Sequence, residues 1–277
     1  MKRIIRVFPR RTRATPDDNL VAVARPPDLF DEADEVHISI TFSWDFEYGM
    51  KLADQWKTVA PVKIGGPATG CASGEFVPGM YLRKGYTITS RGCPNHCWFC
   101  DVWQREGQKI RELPIRCGWN VLDDNLLACS EKHIRDVFAM LRRQSETAQF
   151  TGGLEAKRLR WWHVELLARL HPKQMFFAYD TEDDLEPLRE AGRMMLNAGF
   201  TKASHVLRCY VLCGWQKDNT RKADTTEVAE QRMKKVMDVG FTPMAMLYID
   251  RNFDRRHDHA WIDFQRRWAR PAIIHSK

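Results

Sequence analysis

No apolar run in this 277-residue chain approaches the roughly 20 residues a membrane helix needs. A membrane-spanning role is therefore not expected. The basic start, MKRIIRVFPRR, holds only a short apolar stretch, interrupted by Arg6, so it does not read as a signal peptide. Without one, the eight cysteines point to a reducing cytoplasm and to metal chemistry rather than to disulfides. Hydrophobic residues make up 44% and charged residues 29%, which suits one large α/β domain or a barrel with a small companion. No recognised nucleic-acid-binding motif occurs. The net charge is +7, and the basic residues gather near the ends: Lys2, Arg3, Arg6, Arg10, Arg11 and Arg13, then Arg251, Arg255, Arg256, Arg266, Arg267 and Arg270. They read either as a nucleic-acid contact or as a solvated face.

What the chain does have is Thr89–Trp103, TSRGCPNHCWFCDVW, with Cys93, Cys97 and Cys100 spaced C-x3-C-x2-C. Three thiolates converging from one loop make a soft-metal site. A fourth cysteine is missing, and that is informative. A closed structural zinc site takes four ligands, as does an electron-transfer cluster. A [4Fe–4S] cluster on three cysteines leaves one iron open. Zinc would have to recruit His96, which abuts Cys97. The other cysteines, Cys71, Cys117, Cys129, Cys209 and Cys213, form no second compact cluster motif.

Along the chain, residues 1–80 read as a small α/β unit. Its strands are Ile4–Phe8, Leu20–Val23, Val36–Phe42 and Val62–Ile64. A helix places Phe46, Met50, Ala53 and Trp56 on one face, and Gly65-Gly66-Pro67 ends the unit. His37, inside a strand, reads as a core or edge histidine. From residue 81 strands and helices alternate. Strands are predicted at Tyr86–Ser90, Asn120–Leu122, Gln149–Thr151, Gln174–Tyr179, Val206–Leu212 and Met244–Ile249. Helices are predicted after Ser130, over Leu154–Leu170, up to Gly199, and from an Asp224/Glu227 capping box to Gly240. NAGFT (197–201) and DVGFT (238–242) end successive helices alike, as a repeated unit would. Residues 251–277 read as a basic amphipathic helix with Trp261, Phe264 and Trp268 on one face.

The cysteine loop after a short strand, with the aromatic Phe99 before the last cysteine, resembles that of radical S-adenosylmethionine (SAM) enzymes. Residues 81–250 carry the resemblance. It implies a fold: a partial (β/α)6 barrel open on one side, preceded by a Rossmann-like unit similar to a shortened cobalamin-binding domain. The D-x-H-x-x-G loop of cobalamin-dependent members is absent, so no base-off cobalamin is expected through that unit. The resemblance also implies an activity. A [4Fe–4S] cluster on Cys93, Cys97 and Cys100 is chelated by SAM. One electron from a flavodoxin- or ferredoxin-type donor cleaves the sulfonium, giving a 5′-deoxyadenosyl radical that abstracts hydrogen from a substrate. That substrate is a nucleic acid or nucleotide, or a small metabolite or peptide. The competing class is a non-catalytic iron–sulfur or zinc protein that binds nucleic acid.

In such a barrel the site lies at the C-terminal strand ends. Gly152-Gly153 resembles the family's GGE element, whose backbone receives the SAM amino group, with the acid displaced to Glu155. Asp124 and Asn125 resemble an Asp-Asn pair that contacts SAM or substrate; an Asx turn is the other reading. Tyr179 and Asp180 are placed to reach the ribose hydroxyls, and Phe99 to lie on adenine. Cys213, on one strand face with Cys209, is expected near the radical as a hydrogen-atom donor, or else as a small buried hydrophobe. Trp161 and Trp162, beside Lys157, Arg158 and Arg160, suit base stacking or packing.

Overall fold

The computed structural model describes residues 2–217, 221–249 and 258–269. It is a mixed α/β structure with parallel sheets, divided into two compact units, Met1–Gly118 and Trp119–Lys277.

The first unit holds a four-stranded parallel sheet in the order β2-β1-β3-β4, from β1 (Ile4–Phe8), β2 (Val21–Val23), β3 (Glu35–Ser39) and β4 (Val62–Gly65). This 2-1-3-4 order begins a doubly wound sheet, in keeping with a Rossmann-like unit. Helix α1 (Phe46–Trp56) crosses from β3 to β4. Its buried face is Gly49, Leu52, Ala53 and Trp56, whereas Phe46 and Met50 are exposed, so the stripe is turned from the one expected. Gly49 explains the turn. A Cβ there would stand 2.4 Å from Ile40 Cδ1, so the helix rests its glycine on the sheet. Ile5, Val7, Val36, Ile38, Ile40 and Trp56 form the core. Gly66 (φ +105°) lies against Ile40, whose carbonyl would be 2.4 Å from an added Cβ, so the Gly-Gly-Pro stop serves sheet closure. His37, half-buried at the sheet, is hydrogen-bonded to the Tyr81 hydroxyl at 2.6 Å.

Short elements follow: β5 (Tyr86–Thr87), β6 (Ser90–Arg91), α2 (Val102–Arg105) and β7 (Arg111–Glu112), with β6 and β7 antiparallel.

The second unit alternates strand and helix: β8 (Asn120–Val121), α3 (Glu131–Arg142), β9 (Gln149–Phe150), α4 (Trp161–Leu170), β10 (Gln174–Tyr179), α5 (Leu185–Asn197), β11 (Leu207–Cys213), α6 (Thr226–Asp238), β12 (Thr242–Leu247) and α7 (His259–Trp268). The strands are parallel and neighbour one another in chain order from β8 to β12. Helices α3 to α6 are thus crossovers between adjacent strands, and every strand points its C-terminal end to the same edge. Ser130 caps α3, its hydroxyl accepting from His133 N, and Ile134, Val137, Phe138 and Leu141 are buried. The two similar helix ends are one motif. Phe200 N donates to Met195 O and Gly199 N to Leu196 O; Phe241 N donates to Val236 O and Gly240 N to Met237 O. Both glycines take positive φ, which a side chain would resist.

Two helix starts differ from expectation. α4 begins at Trp161, not Leu154. Residues 154–160 make a short turn instead, and the Arg160 N–H donates to His163 Nδ1 at 3.0 Å. Burial pushes His163 down to about 4, so its ring stays a neutral acceptor. α6 is capped by Thr225, which accepts from Val228 N, because Asp224 is engaged elsewhere. Trp261, Phe264 and Trp268 form the buried face of α7, which packs on β12 and α6. Of the basic C-terminal residues, Arg266 and Arg267 lie in α7; Arg251, Arg255, Arg256 and Arg270 fall outside the described residues. No described helix is long and apolar enough to cross a membrane.

Candidate metal centre and strand-end residues

In the first unit the three cysteines sit on a loop held by its own backbone. Cys93 N donates to Gly107 O at 3.2 Å and Cys100 N to Cys97 O at 3.1 Å. Trp103 Nε1 donates to the same Cys97 carbonyl at 3.1 Å. Gly92 (φ +91°) starts the loop so close to the segment preceding β7 that a Cβ would meet Lys109 O at 2.4 Å. All three cysteines are partly exposed. Phe99 is half-buried, edge-on to Trp98 at 5.3 Å between centroids. His96 is exposed, its ring 5.2 Å from that of Trp103.

Glu106 braces this loop, and nothing in its sequence context marked it. Its carboxylate is covered and accepts from Ser73 N and Oγ, Arg105 Nε and Arg111 Nη2, the Ser73 Oγ bond being 2.7 Å. Burial alone would raise its pKa. The Ser73 and Arg105 bonds outweigh that and hold the group below the usual carboxylate range.

In the second unit the strand ends bring two expected elements together. Asn125 Nδ2 donates to Glu155 Oε2 at 2.6 Å, and Arg158 Nε donates to the same oxygen at 2.6 Å. The Asp124-Asn125 turn and the GGLE segment are therefore one connected arrangement. The two glycines have different reasons. At Gly152 an added Cβ would lie 2.5 Å from Asp123 O, so this glycine lets β9 close on the end of β8. At Gly153 the space is open but φ is +101°. Gly152→Ala is thus expected to destabilise more than Gly153→Ala. The first must push a backbone aside, whereas the second costs about 1–3 kcal/mol of local strain. Chemical denaturation of the two variants checks the order.

Tyr179 is fully buried, and its hydroxyl donates to Glu182 Oε2 at 3.0 Å. Asp180 Oδ1 accepts from Leu212 N at 3.2 Å, tying β10 to β11. Burial, with the nearby Asp184 carboxylate, pushes Asp180 up to about 7, against the Leu212 bond and Arg232. The folded pKa lies above the unfolded value of about 3.9. The resulting stability is full below about pH 4 and is lost as pH rises through 7. Asp180→Asn is expected to flatten that decline, on the order of 4 kcal/mol at most. Parallel denaturant midpoints at pH 5 and pH 8 test it; an equal decline in wild type and variant contradicts it.

Cys213 is fully buried at the end of β11. Its thiol contacts Met246 O at 3.6 Å, and burial pushes it up to about 12. Cys209 is buried deeper on the same strand. Trp162 lies under the Arg135 guanidinium, 4.8 Å from its centroid, which is a packing use; Trp161 is exposed.

One further network here escaped the sequence reading. Arg232 Nη2 donates to Asp224 Oδ2 at 2.6 Å and to Leu212 O at 3.0 Å, while Gly214 N donates to Asp224 Oδ2 at 2.9 Å. Asp224 followed by Glu227 imitates a capping box; the signal against it was Arg232, eight residues on and facing back along α6.

No protein-family model matches this sequence, nor does any curated protein. Among solved structures the chain is similar to the radical S-adenosylmethionine methyltransferase TsrM from Kitasatospora setae, a structure with cobalamin and a [4Fe–4S] cluster bound. The TM-score is 0.60 at 11% identity, over 89% of this chain and 75% of that one. At that identity the likeness is one of fold.

Proposed function

We propose that this chain is a radical SAM enzyme whose [4Fe–4S] cluster is held by Cys93, Cys97 and Cys100. The observation that carries the reading is the C-x3-C-x2-C loop in a chain whose fold resembles a radical SAM enzyme over most of its length. The donor set fits the group: three soft thiols on one short loop, whose Cys97 carbonyl accepts from Cys100 N and Trp103 Nε1. When bound, the cluster supplies the electron that cleaves the SAM sulfonium to a 5′-deoxyadenosyl radical, refilled by a flavodoxin- or ferredoxin-type donor.

The chain's own residues do the rest. In this reading the alternating strands and helices belong to a partial (β/α)6 barrel, and the strand ends receive SAM. The backbone at Gly153 takes the amino group, and Asp124, Asn125 and Glu155 fix the turn that presents it. Asp180 meets the ribose, and Phe99 lies on adenine. The Tyr179 hydroxyl donates to Glu182, so Tyr179 contributes by holding that carboxylate rather than by bonding the ribose itself. Cys213 is kept in the S–H form, the form a hydrogen-atom donor needs.

SAM binding at the open iron tests this. The electron paramagnetic resonance spectrum of the reduced, reconstituted protein should change on adding SAM. A cluster whose spectrum ignores SAM would favour a non-catalytic iron–sulfur protein.

A further inference from the structure

Asp123, Cys129 and His133 lie outside the machinery assigned above. Each offers one ligand atom, and the three atoms lie within 4.8 Å of one another. They come from three places. Asp123 follows β8, Cys129 ends the short turn Leu126–Ala128, and His133 stands in the first turn of α3. Asp123 and His133 are 2% and 7% exposed, and Cys129 is partly exposed. The fold therefore gathers a carboxylate, a thiol and an imidazole at one point.

We propose that these three residues form a second metal site, for a single zinc-class divalent ion. The donor chemistry carries the assignment. Carboxylate, thiolate and imidazole together suit a borderline-soft ion such as Zn²⁺, and disfavour Mg²⁺ or Ca²⁺, which take oxygens. Metal–ligand bonds of about 2.0–2.3 Å put tetrahedral ligand atoms about 3.3–3.6 Å apart. The observed spacing needs the side chains to close by about an ångström. His133 is well placed to be held, because its backbone N–H is fixed by the Ser130 cap at 3.2 Å. Three protein ligands leave a fourth position for water or another molecule.

The site has a structural consequence. Its ligands bracket residues 124–128, and Asn125 in that turn is the group bonded to Glu155. The Cys129 thiol itself lies 4.0 Å from Asn125 O. A bound ion would pin the turn from both ends. The ordinary alternative is a packed Asp–His contact with Cys129 as filler, and metal content separates the two.

The wild-type chain, expressed with added zinc and reconstituted with iron and sulfide, is expected to hold one zinc beside four irons. Cys129→Ser should lose the zinc and keep the irons. Zinc-free wild type, or zinc retained in Cys129→Ser, overturns the proposal. A second measurement uses the chain with Cys93, Cys97 and Cys100 all replaced by Ala, so that the loop takes no ion. Titration with Co²⁺ should saturate at one per chain and give a thiolate-to-cobalt charge-transfer band. Adding Cys129→Ser should abolish that band. Adding His133→Gln or Asp123→Asn should weaken binding at least tenfold, with unchanged far-UV circular dichroism. Absent stoichiometric binding, or binding indifferent to Cys129, contradicts the site.

Discussion

Cys97→Ala is expected to yield a folded chain that takes up no stable [4Fe–4S] cluster, and Cys93→Ala and Cys100→Ala the same. The effect should be all-or-none, because three ligands already leave one iron without a protein donor. The structure also says why the loop should survive. Cys97 organises it through its carbonyl, which accepts from Cys100 N and Trp103 Nε1, both at 3.1 Å. Removing the sulfur spares those bonds. Far-UV circular dichroism should therefore match wild type while iron and visible absorbance are lost. Iron retained at wild-type level in any one variant would remove that cysteine from the ligand set.

The largest expected loss of stability comes from Arg232→Met. The Arg232 and Asp224 side chains are 5% and 0% exposed. Taking away the cation leaves a buried carboxylate and strips Leu212 O of a donor, a change that costs about 3–5 kcal/mol. The double variant Arg232→Met/Asp224→Leu should recover part of this, since no charge is then left unpaired, although Gly214 N loses its acceptor. The loss bears on the site as well. The carbonyl of Leu212 is held by Arg232 and its N–H by Asp180, so the pair fixes the end of β11 where Cys213 lies. Urea denaturation of both variants measures the effect. A single-variant loss below about 1 kcal/mol would mean that solvent reaches the pair.

Elements with strong local patterns were legible from the sequence. The bounds of β10 match because QMFFAY is an apolar, aromatic run between a proline segment and an acidic turn. Both Gly-Phe-Thr helix ends were visible because glycine at positive φ is a local requirement. What local patterns do not carry went unread. Leu154–Arg160 has helix-forming composition, yet it folds as a turn because Glu155 is drawn to Asn125, thirty residues earlier. The Asp224/Glu227 spacing satisfies a capping rule, but a buried arginine claims the aspartate. Gly152 and Gly153 look alike in sequence; only the neighbouring strand distinguishes a glycine needed for contact from one needed for φ. Among the candidate site residues, the cysteine loop is contiguous, so its C-x3-C-x2-C spacing stands in the sequence itself. Asp123, Cys129 and His133 carry a C-x3-H signal too short to stand alone, and which of two adjacent aspartates joins it depends on how β8 ends.

The central claim is that the three-cysteine loop serves SAM cleavage. The most direct measurement is release of 5′-deoxyadenosine from SAM by the anaerobically reconstituted, dithionite-reduced protein, followed by mass spectrometry, with the Cys97→Ala variant alongside. Slow release by wild type even without substrate, and none by the variant, is the predicted result. A fully loaded [4Fe–4S] protein that leaves SAM intact under reduction, or a variant that cleaves it equally well, would contradict the account.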